Sequence, residues 1–123
     1  MLSHLSFGVE DLARATAFYE KALAPLGFVC VWKNERASGF GLPGGDDRLA
    51  LFAKPGRAQA PGEGFHLCFT APNRAAVDAF HAVAVAAGGT DAGAPGIRER
   101  YGPTYYAAFV MDPDGHKLEA LHP

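Results

Sequence analysis

Residues 3–7 read Ser-His-Leu-Ser-Phe and residues 65–69 read Phe-His-Leu-Cys-Phe, so one histidine-containing phrase occurs twice in the 123-residue chain. The two histidines, His4 and His66, are 62 positions apart, and the phenylalanines that follow them keep the same spacing. A repeat of this length is a stronger guide to architecture than any single motif. The sequence therefore predicts that a strand and the start of the helix after it are duplicated.

The first half of the chain has the pattern of one strand, one helix and three strands. Residues 2–9 alternate between apolar and polar side chains, which is the period of a β-strand. Asp11 is placed to cap a helix that continues to about residue 26, because apolar residues return there at helical spacing. Three short strands follow the helix, at about 28–34, 36–42 and 48–53. We therefore predict a βαβββ module over about residues 1–56.

The second half repeats this order, with a strand over about 65–71 and Asn73 as the cap of a helix that ends near residue 88. The remaining predicted segments are a short strand near 90, a Gly- and Pro-rich loop over 93–103, and strands at about 105–111 and 117–121. This second module covers about residues 63–123. The length fits a single domain over residues 1–123, and the fold class is predicted to be α+β.

One carboxylate breaks the symmetry of the repeat. Alignment of the last hairpins of the two halves places Glu119 where the first half has Ala50. His4, His66 and Glu119 all fall on strand faces that point away from the predicted helices. Two imidazoles and one carboxylate suit a divalent Zn, Fe, Mn, Ni or Co ion and leave positions open for substrate or water. A lone strand histidine is more often structural, but the paired positions favour a metal site of these three residues.

Composition and charge limit the partners and the compartment. The net charge of −2 and the pI near 6.2 argue against nucleic acid and favour a small-molecule partner. We find no apolar run of the roughly 20 residues that span a bilayer and no cleavable leader, so we expect neither a membrane partner nor export, and a cytoplasmic location. Cys30 and Cys68 lie in strand-like runs without a Cys-x-x-Cys pairing, so reduced thiols are expected.

Aromatic and basic residues on the predicted concave side or in the long loop are candidates for substrate contact. They are Trp32, Arg98, Arg100, Tyr101, Tyr105 and Tyr106. Adjacent tyrosines face opposite sides of a strand, and alternation favours Tyr105 over Tyr106 for the cavity. The two arginines suit a carboxylate or phosphonate, although loop arginines are usually only solvated.

Four phrases resemble those of the vicinal oxygen chelate superfamily, which includes glyoxalase I, bleomycin and fosfomycin resistance proteins, and extradiol dioxygenases. They are the two histidine phrases, residues 11–19 (Asp-Leu-Ala-Arg-Ala-Thr-Ala-Phe-Tyr) and residues 112–119 (Asp-Pro-Asp-Gly-His-Lys-Leu-Glu). The resemblance covers the whole chain. It implies paired βαβββ modules in a U-shaped, barrel-like mixed sheet with the helices outside, a metal cavity, and frequent homodimers.

The resemblance also exposes a departure, because glyoxalase I carries two histidines and two glutamates, and one of those glutamates is Ala50 here. The implied function is divalent-metal-dependent, glyoxalase-like lyase or isomerase chemistry on a small oxygen-chelating substrate, with Glu119 as the catalytic group. Two alternatives stay open: an Fe(II) extradiol-type dioxygenase, and a non-catalytic drug-binding protein of the bleomycin-resistance kind. Pairing of the modules within one chain or between two chains stays open as well.

Overall fold

Each half of the chain forms a four-stranded sheet with one α-helix in a computed structural model that describes residues 1–123. The first half contains β1 (Leu5–Val9), α1 (Leu12–Leu23), a 3-10 turn (Ala24–Leu26), β2 (Val29–Lys33), β3 (Ala37–Gly41) and β4 (Leu49–Ala53). The second half contains β5 (Leu67–Thr70), α2 (Arg74–Ala86), β6 (Thr90–Ile97), β7 (Tyr106–Met111) and β8 (Lys117–His122). The predicted α+β class and the two βαβββ modules are confirmed.

The two sheets have the same topology. Their strand orders are β1-β4-β3-β2 and β5-β8-β7-β6, and in each the first and last strands of the module pair in parallel. In the first sheet Ser6 pairs with Ala50, and in the second sheet Cys68 pairs with Glu119. These are equivalent rungs of the two ladders. The alignment that places Glu119 at the position of Ala50 is therefore correct in three dimensions.

Both helices begin where the sequence predicts a capping residue. The Asp11 carboxylate accepts a hydrogen bond from the backbone N–H of Arg14, and the Asn73 side chain accepts one from that of Ala76. Each cap satisfies a backbone donor that the first helical turn leaves free. After α1 the 3-10 turn ends at Gly27, whose φ of 88° lies in the left-handed region that glycine tolerates best.

The two halves share one apolar core. The helix α1 packs on its own sheet and also against α2, which packs on the second sheet. A single cluster of 20 buried residues includes Phe18 and Leu49 from the first half and Phe80 and Leu118 from the second. The two sheets stay separate and do not close into a barrel, so the barrel-like shape implied by the resemblance is not formed by one chain. Neither helix is long and apolar enough to cross a membrane.

One predicted boundary in the second half is wrong. The residues expected to be a loop from position 93 onward belong in part to β6, which runs unbroken to Ile97. The pairing of β6 with β7 shifts register around Gly93 and Gly96. Such irregularities and an edge position let a strand contain glycine and the proline at position 95. The lengthening of the second module is therefore taken up partly by an irregular edge strand.

Candidate active site

Glu119, on β8, is surrounded by polar side chains from other segments. Its carboxylate is 2% exposed although no Lys or Arg is paired with it. The Tyr105 hydroxyl donates to Oε2 at 2.7 Å, and the His66 Nε2 atom lies 3.0 Å from Oε1. Cys68 is the residue directly across the strand pair, and its Sγ atom lies 4.0 Å from the backbone carbonyl oxygen of Phe69. Both carboxylate oxygens thus have a polar side chain beside them, which offsets the cost of burying the carboxylate.

The contact between His66 and Glu119 places two potential metal-ligand atoms side by side. Nε2 of His66 lies 3.0 Å from Oε1 of Glu119, and the imidazole stands beside the Phe109 ring, with ring centroids 6.1 Å apart. Metal binding through Nε2 needs the lone pair of a neutral imidazole. The pair can therefore present one nitrogen and one oxygen donor atom to a cation when Nε2 carries no hydrogen.

Cys68 and Tyr105 are protonated neighbours of Glu119. Burial, and after it the negative charge of Glu119, raises the pKa of the Cys68 thiol to about 12. Burial and the hydrogen bond to Glu119 likewise raise the pKa of Tyr105 above its usual value. Both groups are therefore hydrogen-bond donors at neutral pH, and Cys68 is a poor nucleophile because the thiolate is the reactive form.

A cavity of about 440 Å³ opens beside this group, on the face of the second sheet away from α2. Its lining combines the histidine and the carboxylate with aromatic and basic side chains: His66, Ala92, Gly93, Arg98, Arg100, Tyr101, Tyr105, Phe109, Lys117 and Glu119. The volume is that of a small-molecule site. Tyr105 lines it, whereas the Tyr106 hydroxyl bonds to Asp78 on α2, as strand alternation requires.

Trp32 does not line this cavity within one chain, and its place among the substrate contacts stays a prediction. It lies on the first sheet, where its indole occupies the space that a Cβ atom on Gly39 would fill. Gly39 in turn pairs with Ala50, which is buried, so the first sheet has no carboxylate at the position equivalent to Glu119. The two sheets have diverged: the second carries the polar group, and the first presents an aromatic surface.

His4 is not brought to the other two predicted ligands within one chain. It is exposed, just before β1, with Ser3 Oγ 3.1 Å from its Nδ1 atom, and it does not line the cavity. No group of three or more His, Cys, Asp or Glu side chains is close enough to hold a metal ion. His66 and Glu119 are of the right chemical kind for a divalent ion. They fit such an ion as two ligands of a set that one chain leaves incomplete.

The other histidines have structural partners. His81 on α2 contacts the Asp91 carboxylate at 2.9 Å. His116 is fully buried, and its Nδ1 atom lies 2.9 Å from Asp112. His122 reaches a backbone carbonyl of the strand-to-helix connection after β5. None of the three lines the cavity.

Four cavity residues were missed as site candidates in the sequence, namely Ala92, Gly93, Phe109 and Lys117. Lys117 shares a strand face with Glu119, so alternation alone placed its side chain on the cavity side. Phe109 pairs directly with Glu119 across β7 and β8. A lysine at the start of a strand and one more aromatic residue are common in any sheet, so neither carries a signal of its own. Their significance comes from the neighbours that the fold gives them.

Comparison with known proteins identifies the family. The family model of the Glyoxalase/Bleomycin resistance protein/Dioxygenase superfamily matches residues 1–120. The chain therefore belongs to this superfamily, whose members typically bind a divalent metal and small-molecule substrates and are often dimeric. No curated protein matches the sequence.

Among solved structures, a glyoxalase/bleomycin resistance protein from Albidiferax ferrireducens T118 is 35% identical, with a TM-score of 0.83 over 100% of this chain and 98% of that one. A putative glyoxalase from Bacillus halodurans is 27% identical, with a TM-score of 0.74 over 100% and 96%. A glyoxalase I mutant from Zea mays is 22% identical, with a TM-score of 0.75, and matches 97% of this chain but 45% of that one. This last likeness shows the fold alone.

Proposed function

We propose that the protein is a divalent-metal-dependent, glyoxalase-like enzyme with lyase or isomerase chemistry on a small oxygen-bearing substrate. The observation that carries the proposal is the 3.0 Å approach of His66 Nε2 to Glu119 Oε1 beside an open cavity. An imidazole nitrogen and a carboxylate oxygen at this separation are suited to neighbouring ligand positions on one ion. When bound, such an ion polarises substrate oxygens and stabilises negative charge on them.

The third ligand in this proposal is His4 of a second copy of the chain. Two protein ligands are fewer than the three that hold most catalytic zinc ions. His4 is exposed on the first half of the chain, outside the cavity, and is therefore free to contact another molecule. A symmetric homodimer presents the same surface twice, so each copy contributes His4 to one site and His66 with Glu119 to the other. The aromatic first sheet then faces the polar second sheet of the partner.

The residues around Glu119 have distinct roles in this site. Glu119 is a metal ligand and the proposed proton-transfer group, because it is the one carboxylate that lines the cavity. Tyr105 is a positioning residue, since its hydroxyl fixes Oε2 of Glu119 and leaves Oε1 facing His66. Tyr101 stands beside Tyr105, with ring centroids 5.2 Å apart, and adds an aromatic wall for the substrate. Cys68 pairs with Glu119 across β5 and β8 and is a neutral neighbour of the carboxylate.

Two other functions are consistent with the same family. Two histidines and one carboxylate are also the ligand set of Fe(II) oxygenases, so oxygen uptake with catechols would favour an extradiol-type dioxygenase. A drug-binding protein is favoured by a different observation, namely that one chain has a wide cavity and no complete metal site. Cys30 and Cys68 are not joined in a disulfide, which supports a reducing compartment and thus the proposed cytoplasmic location.

Mixing two inactive variants tests the two-chain site. We expect His4→Ala and Glu119→Ala each to abolish stoichiometric metal binding. After unfolding and refolding together, random pairing makes half of the dimers mixed, and each mixed dimer has one intact site of two, so about a quarter of the sites recover metal. Elemental analysis of the separated dimer measures this recovery. His81→Ala, an exchange of a histidine outside the cavity, is the control and should keep full metal binding.

Three results would count against the proposal. Full metal content in either single variant would remove that residue from the ligand set. A mixed sample that recovers no metal while the dimer persists would mean that no site is shared between chains. Absence of turnover in every metal form, with tight binding of a bulky drug, would favour the binding protein.

A further inference from the structure

The cavity beside Glu119 carries an excess of positive charge that nothing in the chain neutralises. Arg98, Arg100 and Lys117 all line it, and none of the three forms a salt bridge. The only carboxylate of the lining is Glu119, whose oxygens are taken by His66 and Tyr105. The whole protein has a net charge of −2, so this concentration of cations is local and not a consequence of composition.

The Arg98 side chain is held in place before any ligand arrives. Its guanidinium donates to the backbone carbonyls of Ala94 at 2.7 Å and of Gly96 at 3.0 Å. A Cβ atom on Gly93 would lie 3.1 Å from Nη2, and one on Gly96 would lie 3.3 Å from Nη1. The missing side chains of these glycines thus leave room for the guanidinium to lie on β6. Two of its five N–H groups are used, which leaves three donors in a fixed geometry for a ligand.

Lys117 reaches the same place from β8, which lies on the other side of β7 from β6. Its Nζ atom is 5.0 Å from the centroid of the Phe109 ring, and the Arg98 guanidinium carbon is 5.5 Å from that centroid. Both distances are to the same centroid, so the two cations are neighbours on one ring, at a separation comparable with the Debye length of ~8 Å at physiological salt. An anion bound between the two cations would be attracted by both of them.

We infer that Arg98 and Lys117, at the Phe109 ring, form a binding site for an oxyanion, a carboxylate, phosphonate or phosphate group carried by a small molecule. Arginine offers the paired N–H geometry that such groups accept, and lysine adds a point charge. Tyr101 and Tyr105 contact the uncharged part of the same molecule. The inferred site predicts that the substrate carries a negative charge. It rests on the proposed function in one respect, namely that the bound anion is part of the enzyme's substrate.

The test is calorimetric titration of the full-length, chelator-treated protein with phenylphosphonate and benzoate. Benzyl alcohol, which has the same ring without a charge, is the ligand control. We expect both anions to bind, benzyl alcohol to bind much more weakly, and the anion affinity to fall as salt is raised. Arg98→Gln and Lys117→Gln should each weaken phenylphosphonate binding about tenfold or more, as loss of a charged hydrogen bond requires.

Arg74→Gln is the matched control variant. Arg74 also lies over an aromatic ring, that of Tyr106 at 5.0 Å, but on the α2 side of the sheet, and its exchange removes the same charge. Its binding of phenylphosphonate should equal that of the wild type. Gly96→Ala, which crowds the guanidinium while leaving the charge unchanged, should weaken binding as well.

Equal affinity for the anions and benzyl alcohol would overturn the inference, and so would equal losses in the Arg98, Lys117 and Arg74 variants. Because the titration uses metal-free protein, its outcome is separate from the two-chain metal test. Anion binding without metal recovery in the mixed dimer would reject the proposed ligand set alone. Metal recovery without anion binding would reject the oxyanion site alone.

Discussion

The Tyr19 hydroxyl donates a hydrogen bond of 2.5 Å to Oδ2 of Asp112, and this bond ties the helix of the first half to the last hairpin of the second. Both residues are buried. Asp112 also accepts from the backbone N–H of His116 and contacts its ring nitrogen, while the His116 ring stacks on Phe7 of β1 with centroids 3.9 Å apart. Residues 93 positions apart thereby form one polar contact inside the shared core.

This contact predicts a stability limit at each end of the pH range. Burial opposes ionisation of Asp112, but hydrogen bonds from His116 and Tyr19 outweigh it and lower the pKa of the carboxyl below 3.8. A lowered folded pKa contributes stability above about pH 4, which is lost as pH falls through the folded value. Burial and the Asp112 charge raise the pKa of Tyr19 well above 10.0, so its contribution is present below pH 10 and is lost above it.

Asp112→Asn should therefore lower the free energy of unfolding at pH 7 by about 1–3 kcal/mol, because an amide cannot accept from both neighbours as a carboxylate does. The loss should shrink as the pH falls below 3.8 toward the lowered pKa of the folded carboxyl, because the wild type then loses the same stabilisation. Urea unfolding followed by circular dichroism at several pH values measures both effects. The exposed Asp46→Asn is a control that should change little. A pH-independent difference would contradict the assignment.

Tyr105→Phe should weaken metal binding about 10–100-fold, since loss of a hydrogen bond that orients a ligand typically has that effect. The hydroxyl holds Oε2 of Glu119, and without it the carboxylate is free to rotate. Competition with a coloured chelator gives the metal affinity. Tyr106→Phe removes the neighbouring hydroxyl, which bonds to Asp78 on the helix side, and should leave metal affinity unchanged. Equal effects of the two variants would mean that Tyr105 is only a packing residue.

Cys68 should react slowly with iodoacetamide at pH 8, because its pKa of about 12 leaves little thiolate. We expect this although the residue is solvent-exposed. Burial is the largest cause of this raised pKa and the negative charge of Glu119 is the next. Glu119→Gln removes that charge, so the pKa should fall and the reaction should become faster. Peptide mass spectrometry follows Cys68 and Cys30 in the same sample. Cys30 has no contact with Glu119, and its rate should stay constant; parallel acceleration of both thiols would indicate general loosening instead.

Gly39→Ala should displace the only tryptophan of the chain. A Cβ atom at Gly39 would overlap the Trp32 indole, so the ring would have to move. We expect a red shift of the tryptophan emission and, if the first sheet faces a partner copy, weaker dimerisation. Gly44→Ala is a control in a turn where nothing lies within 4 Å, so its cost is limited to the backbone strain at a φ of 76°. An unchanged emission spectrum in Gly39→Ala would refute the packing.

The sequence by itself determined the modules. The repeat of the histidine phrase, the caps Asp11 and Asn73, and strand alternation depend on neighbours only a few positions away, and each reappears in the structure. The equivalence of Glu119 and Ala50 followed from the same local spacing. The strand β6 was predicted too short because glycine and proline normally end strands, and an edge position overrides that preference.

The side chains that surround Glu119 were determined only by the tertiary structure. Alternation fixed which way each side chain points but not how the two sheets lie relative to each other, so it could not tell that His66 meets Glu119 while His4 does not. The cluster of Arg98, Lys117 and Phe109 likewise combines residues from three segments: β7, β8 and the end of the edge strand β6. The physical reason is that the direction of a side chain is set by the local backbone, whereas its neighbours are set by how distant segments pack in a shared core.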